Sequence, residues 1–474
     1  MAQKSRKTKG AGPDGVVYPR SSGVKVIIVG LGYSGAAAAV ECHRKGHDVV
    51  VYEQFPGITQ LGDIIGITGN AAQVVAKWGN GSVHRELEPI LSSWQANNIR
   101  RYDTGDILYS QPMVGYNAGT GYTAPRGPMA IILANHLKDL GVPVHFGKRI
   151  QDYFETEDEA GVVVEGQRIT ADCVIACDGV HSKARSFVVG IDDRPYPTGY
   201  ATYRAWFDAD EAKKDEKLSW MFEGDSDKME TYIGQDMHCI LGTCSGMKGV
   251  VWNITHKDEY DNVAESWSFP GKREDVLGYV QGWNERIRDV VMATPKSQLV
   301  DYKLAWRDPL PKWVSNHARI ILIGDSAHPF LPTSAQGAGQ AIEDGATIAI
   351  CLELAGKADV PLALCTCEKL RYARASLAQQ IGKETREIWH KTDWEQAKKN
   401  PQSLSMPLPD WLFGHDPQRY AYEEFDAAAS SIKHGTEYTP TNVPPPGQNH
   451  RVYDFKVDKA SQWLKGTTKL RASL

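Results

Sequence analysis

"VKVIIVGLGYSGAAAAVECHRKGHDVVVYE", residues 24–53, decides the fold. "VKVIIVG" is a continuous apolar, β-branched run, as a strand buried on both faces requires. "SGAAAAVECHRKG" is Ala-rich and helical, with Gly46 placed as its C-terminal cap. "HDVVVYE" reads as a second buried strand, completing one βαβ unit. The turn carries Gly30-x-Gly32-x-x-Gly35. Gly30 makes the tight turn, Gly32 lets a pyrophosphate approach the backbone, and Gly35 allows close helix packing. The helix N-terminus then offers N–H groups to phosphates. Glu53 ends the second strand, where its carboxylate can accept from adenosine ribose hydroxyls. These features predict a dinucleotide site and do not separate NAD from FAD.

At 474 residues the chain is long enough for two or three domains. It is 42% hydrophobic and 23% charged with a net charge of −5, which argues against a nucleic-acid footprint. The eight cysteines (42, 173, 177, 239, 244, 351, 365, 367) form no C-x-x-C pair and no metal spacing. Buried thiols in a reducing, cytoplasmic compartment are expected. No apolar run is long enough to span a bilayer. The basic, Gly-rich start, residues 1–22, reads as a disordered tail.

Further along, a helix is expected after Arg126, with Pro128 in its first turn. "VPVHFG", "RIQDYFE", "GVVVEG" and "QRITADCVIACDG" read as strands, and the acidic run Glu155 to Glu159 as a solvated turn. Between 196 and 255, "ATYRAWFDA", "KLSWMFEG", "METYIGQ", "MHCILGT" and "GVVWNITH" alternate and are rich in aromatics, predicting antiparallel strands with one covered face. Residues 272–294 read as helical, "ARIILIGD" as another buried strand, 338–355 as a helix and the following stretch as a longer amphipathic one. Beyond 395 the chain is Pro-rich. The expected fold class is α/β: a Rossmann-like region, 23–195, interrupted by an antiparallel-sheet domain, 196–290, resumed over 291–390, and followed by a partly helical C-terminal extension, 391–474.

Two more buried strands end in acids. "CVIACDGVHSKAR" delivers Asp178, and "RIILIGDSAHPFLPTSAQGAG" delivers Asp325. Acids at strand carboxyl ends point into the crevice where such sheets bind ligands. After Asp325, Pro329 and Pro332 stiffen the loop. Gly337, Ala338 and Gly339 then open a helix whose N-terminal dipole favours a flat group that becomes anionic, as a reduced isoalloxazine does.

Taken in order, Gly-x-Gly-x-x-Gly, Asp178-Gly179 and Gly324-Asp325-Ser326-Ala327-His328 resemble the single-component (group A) FAD-dependent aromatic monooxygenases. "AWRDPLPKWV" and "GQAIEDGATIA" resemble the salicylate-hydroxylase-like branch and its fungal secondary-metabolism relatives, over about 23–395. The resemblance implies a role for each matching residue. Glu53 would hold the adenosine ribose, Arg126 would contact FAD, and Ile150 with Arg149 would pass the adenine by main chain. Asp178 would lie near the pyrophosphate, Asp325 would bond the ribityl chain, and Gly337 to Gly339 would offer amides to the flavin pyrimidine. His328 would be structural.

In "LGDIIGITGNA", Asp63 stands where the family carries a small apolar residue. A carboxylate beside a flavin disfavours its anionic form unless protonated or paired. An Asp bonded to its own loop is the other reading. Arg204, in "TYRAWF", shares a strand face with Thr202 and Trp206. It is either a surface residue, an anchor for a substrate carbonyl or phenolate, or the partner of Asp63. Trp206, Tyr232 and Pro332 are candidate substrate contacts; Tyr232 and Trp252 could equally be core.

The reaction implied is NAD(P)H-dependent insertion of one oxygen atom from O2 into an aromatic substrate by hydroxylation or epoxidation, an indole alkaloid being one such substrate. A salicylate-type phenol hydroxylase, a flavin oxidase and a non-enzymatic carrier like the dissociation inhibitors of prenylated GTPases are the alternatives.

Overall fold

The computed structural model describes residues 21–58, 63–113, 121–190, 196–258 and 269–444. The proposed basic tail, apart from Ser21 and Ser22, and the amphiphilic last segment lie outside them. The chain is mixed α/β. Its parallel sheet runs in the order Ile320–Leu322, Cys173–Ala176, Lys25–Val29, Asp48–Tyr52, Val144–His145. Lys25–Val29 is central and apolar on both faces, as its sequence demands. Asp48–Tyr52 is less covered than expected: within it only Val51 is buried, because its outer neighbour is a two-residue strand.

The Ala-rich stretch forms the helix Tyr33–Arg44 and packs against the late helix Gly337–Ala355. The small residues explain the closeness of that contact. A side chain at Gly345 would meet the Ala38 nitrogen at 2.6 Å. A three-stranded antiparallel sheet (Ile150–Glu155, Ala160–Val164, Gln167–Ala171) lies alongside. Glu155 is more than a solvated turn residue: it accepts from Ser315 Oγ at 2.5 Å and His317 N at 3.0 Å.

The second large sheet has eight strands, in the order Phe269–Pro270, Val300–Trp306, Tyr196–Asp208, Gly249–Lys257, Met237–Cys244, Met229–Gly234, Ala96–Arg101, Ile107–Pro112. Its membership therefore exceeds the 196–290 span read from sequence, drawing two strands from upstream and one from downstream. It is antiparallel except where Met229–Gly234 pairs with Ala96–Arg101. Both faces are covered, not one: every residue of Met229–Gly234 is buried. "KLSWMFEG" is not a strand. It forms the 3-10 turn Glu216–Phe222, whose buried residues Leu218 and Met221 are three apart, the 3-10 period. The single helix expected over 272–294 is two, Arg273–Tyr279 and Glu285–Ala293.

The long helix Val360–His390 crosses between the two sheets' domains, touching the late helix on one side and the eight-stranded sheet on the other. Beyond it the chain folds back. Pro401–Leu404 and Asp410–Phe413 make short turns, and a helix of the C-terminal extension, Pro417–His434, packs on both long helices. Its buried Ala421, Phe425, Ala428 and Ala429 follow helical spacing.

Candidate active site

The three sequence motifs meet at the carboxyl ends of the parallel strands. Gly30 adopts φ +93°, and a side chain there would drive into the Cys177 carbonyl. One at Gly35 would drive into the Gly30 carbonyl. One at Gly32 would meet nothing within 4 Å. Gly32 is the N-cap of Tyr33–Arg44 and offers no side-chain bond, so the space above that helix start is open. Against the same turn lies the late loop: a side chain at Gly324 would strike Ser34 at 2.7 Å. Ser326 Oγ donates to the Ala176 carbonyl at 2.6 Å, and buried Arg185 donates from Nη1 to the Ser326 carbonyl at 3.0 Å.

The acids line this crevice. Glu53 is buried and accepts from Leu31 N at 2.7 Å and Phe55 N at 2.9 Å, and its carbonyl accepts from Lys148 N at 2.8 Å. The Arg149–Ile150 main chain is therefore close by. Asp178 Oδ2 accepts from Tyr153 Oη at 2.9 Å and Lys183 N at 3.0 Å, while its buried Oδ1 has no partner. Burial pushes the Asp178 carboxyl up, against the pull of those bonds. Burial also raises Asp325, opposed by Arg126, His328 and Arg185. Arg126 opens the helix Arg126–Asp139; its guanidinium lies 5.9 Å from the Tyr33 ring centroid, and its carbonyl accepts from Tyr33 Oη at 3.0 Å.

The 63–70 segment is stitched to the start of the late helix. Gln336 Nε2 donates to Thr68 Oγ1 at 2.9 Å, and Asn70 Nδ2 donates to Glu343 at 2.5 Å. Gly339 faces Thr68, whose Oγ1 would be 3.1 Å from a side chain there. Gly337 begins this helix, and Ala338 is buried at its first turn. Its N-cap, Gln336, gives the first turn no side-chain bond. His328 Nε2 pairs with Asp344 Oδ2 at 2.6 Å, which also receives Gly324 N at 2.9 Å, so His328 is structural.

Asp63 and Arg204 form an ion pair, Nη1 to Oδ1 3.6 Å, linking the dinucleotide region to the eight-stranded sheet. Arg126 N donates to the Asp63 carbonyl at 2.9 Å, so the pair sits beside the start of Arg126–Asp139. The Arg204 guanidinium also lies 5.3 Å from the Tyr302 ring centroid. Burial lowers its pKa while Asp63 pulls it back up; an arginine this strongly basic stays a cation.

Residues directly opposite in an antiparallel pair share a face. Arg204 faces Asn253 and Val300, and Asn253 faces Ile240. This is the crevice side. Tyr232 faces Cys239, which faces Ile254, which faces Tyr203. Tyr232 and Trp252 therefore belong to the opposite face, in the core under Arg273–Tyr279 and Glu285–Ala293. Neither can touch a substrate beside Arg204. Trp206 shares the Arg204 face one row along, against Gly249. Pro332 is exposed at the start of the turn Pro332–Ser334.

Sequence reasoning missed an apolar cluster next to this pair. Ile64 and Ala335 from the dinucleotide side, Ile240 and Met229 from the sheet, and Leu408 and Phe413 from the C-terminal strap form one apolar cluster. The strap is pinned by reciprocal bonds: Gln111 Nε2 donates to Met406 O, and Met406 N donates to Gln111 Oε1, both 2.9 Å.

The sequence matches the FAD binding domain family over residues 23–379. The chain belongs to the FAD-dependent monooxygenases. This monooxygenase is 39% identical over 454 residues to "FAD-dependent monooxygenase nanF" of Aspergillus nanangensis, covering 94% of this chain and 98% of that one. It is 39% identical over 438 residues to "Asperlicin C monooxygenase" of Petromyces alliaceus, covering 91% and 95%. Among solved structures it resembles CtdE in complex with FAD and a substrate, with TM-score 0.82 and 38% identity over 86% of this monooxygenase and 100% of that chain. A salicylate hydroxylase substrate complex shares the fold, TM-score 0.69 at 21% identity over 86% of this chain and 98% of that one. No described helix of this monooxygenase is long and apolar enough to cross a membrane.

Proposed function

We propose that this enzyme uses NAD(P)H and O2 to insert one oxygen atom into a mostly apolar aromatic substrate that carries no negative charge, an indole-containing secondary metabolite being the class we favour. The balance is substrate, O2, NAD(P)H and a proton giving the oxygenated product, NAD(P)+ and water. The observation carrying this reading is the Asp63–Arg204 pair joining the dinucleotide region to the eight-stranded sheet beside an apolar cluster of Ile64, Ile240, Ala335, Leu408 and Phe413.

The residues present fit FAD. The open space at Gly32 suits a pyrophosphate on the helix N-terminus. Asp178 Oδ1 is a buried acceptor awaiting a donor or an ordered water. Among the described residues nothing donates a hydrogen bond to the Asp325 carboxylate, which leaves it for the ribityl hydroxyls. Glu53 keeps lone pairs for the ribose with the Lys148–Ile150 main chain beside it, and Arg126 acts on Asp325. The uncapped start of Gly337–Ala355, with Ala338 and Gly339, has N–H groups for the flavin pyrimidine. When bound, FAD supplies acceptance of hydride and activation of O2; the chain supplies position, dryness and charge. Arg204 orients the ring by donating to a carbonyl, and the apolar wall keeps water from the reacting atoms.

A salicylate-type phenol hydroxylase is the second reading, because an arginine can anchor a carboxylate. Asp63 argues against it here. With an acid 3.6 Å away, the Arg204 charge is already matched, and a substrate anion would be repelled.

Arg204→Ala is expected to retain FAD and to lower product formation by at least about 100-fold, the scale of lost positioning. NADPH-driven oxygen uptake and mass spectrometry for a +16 product across a panel of indoles and phenols measure this. Normal turnover by the variant would overturn the assignment. Asp63→Asn should improve salicylate binding, since it removes the repelling charge. Preferential turnover of salicylate by the unmodified enzyme would establish the second reading.

A further inference from the structure

A cavity of about 300 Å³ lies between the helix Val360–His390 and the strap, residues 401–413, lined by Leu377, Ile381, Glu384, Pro407, Leu408, Pro409 and Trp411. Leu377, Ile381 and Glu384 occupy positions i, i+4 and i+7 of Val360–His390 and so share one helix face. The other wall is the proline-flanked strap. Every lining residue but one is uncharged. The exception, Glu384, is partly buried, and among the described residues nothing donates a hydrogen bond to it. Burial alone pushes its carboxyl up to about 7.

The cavity adjoins the inner site. Leu408 lines it and also packs in the cluster holding Ile64, Ile240 and Ala335. Behind Glu384, the same helix supports the loop that carries Pro332: Thr333 Oγ1 donates to the Gly382 carbonyl at 2.6 Å. Leu408 is thus common to both.

We propose that this cavity is an outer docking site for an aromatic amine, in which the Glu384 carboxylate pairs with the ligand's ammonium while its ring lies among Leu377, Leu408, Pro409 and Trp411. A desolvated carboxylate is best satisfied by a charged N–H donor. Apolar walls with one convergent polar group are the usual construction of a small-molecule site, and the volume suits a ligand of a few fused or linked rings. A solvated surface glutamate would need neither enclosure nor an aromatic wall. The assignment rests on the aromatic-substrate reading above and extends it: substrates carrying a basic nitrogen would be gathered here before passing Leu408.

Tryptamine is the probe, with 3-ethylindole as the same ring lacking the amine. Both are measured against the FAD-loaded enzyme at pH 8, where Glu384 is ionised, by ligand-observed NMR titration. Glu384→Gln is expected to weaken tryptamine at least tenfold and to leave 3-ethylindole within twofold. Leu377→Trp, which fills the cavity, is expected to weaken both at least tenfold with FAD content unchanged. Arg204→Ala is expected to leave tryptamine binding intact, because the inner site is separate. An unchanged tryptamine affinity in Glu384→Gln, or in a Leu377→Trp variant with native melting, overturns the proposal. Oxygen uptake is not the readout, so failure of the oxygenation reading and failure of this one are told apart.

Discussion

Valine at position 32 is expected to give a folded protein that no longer holds FAD. The backbone permits it: Gly32 has φ −74° and ψ −170°, extended geometry open to any residue. The protein also has room, since nothing lies within 4 Å of the added Cβ. What the branched side chain fills is the space over the first N–H groups of Tyr33–Arg44. A phosphate there gains charge-assisted bonds of roughly 1.5–3 kcal/mol each. Losing two of them costs about 3–6 kcal/mol, on the order of 100- to 10,000-fold in affinity. The cost to the fold is limited to a poorer N-cap, about 1 kcal/mol. Purified Gly32→Val should therefore be colourless, with a native circular dichroism spectrum and a melt near that of the apoprotein. Gly35→Val is the contrast: it collides with the Gly30 carbonyl and should not fold. A yellow Gly32→Val protein with full FAD content would remove the pyrophosphate from this turn.

Arg374→Ala is expected to cost roughly 3–5 kcal/mol of stability, the scale for breaking a buried ion pair. Arg374 and Glu343 are both fully buried, joined through Nε to Oε2 at 2.8 Å and Nη2 to Oε1 at 2.9 Å. Arg371 also pairs with Glu343, and with Asp344 at 2.8 Å. Burial pushes the Glu343 carboxyl up, and Arg374 and Arg371 more than reverse this, holding it below its usual range. A depressed carboxylate contributes its full stability above its unfolded pKa and loses it progressively as pH falls from there through the lower folded value. The difference between wild type and Arg374→Ala should therefore be constant from about pH 6 to 8 and shrink progressively below about pH 5. The same guanidinium donates to the carbonyls of Trp411 and Leu412, both at 2.7 Å. The variant should lose strap order as well, read as faster proteolysis between 401 and 413. A urea midpoint matching wild type would show that the cluster carries no net stability.

The convergence of the three motifs at the strand ends was legible because their signals are local. Buried β-branched runs ending in Gly-Asp or Asp-Gly announce strand ends without any knowledge of pairing. The Asp63–Arg204 contact could be anticipated as one of three readings, from charge and family position. Tyr232 could not be placed, because the face a strand residue occupies depends on register, and a one-residue shift reverses it. Only the chain of pairs from Tyr203 through Ile254 and Cys239 fixes it on the core side. "ANNIRR" carries no apolar strand signal, because polar side chains of a covered strand can pair across the sheet: Asn98 Nδ2 and Arg100 Nε donate to Glu230. Thr231 Oγ1 meets Asn97 Oδ1 at 2.7 Å. The strap was invisible for another reason: its anchors are single side chains, Gln111 and Arg374, about 295 and 37 residues from the carbonyls they hold. Prolines marked where the chain turned and gave no hint of what it turned against.

The placement of Ile320–Leu322 beside Cys173–Ala176 has a consequence for biogenesis. The neighbour leaves the ribosome about 140 residues before its partner strand exists. At roughly 5–20 residues per second, that hydrophobic edge waits on the order of 10 s without its final pairing. During translation the nascent polypeptide must be shielded there, by a chaperone or by the intervening sheet, or the open border will recruit strands from other chains.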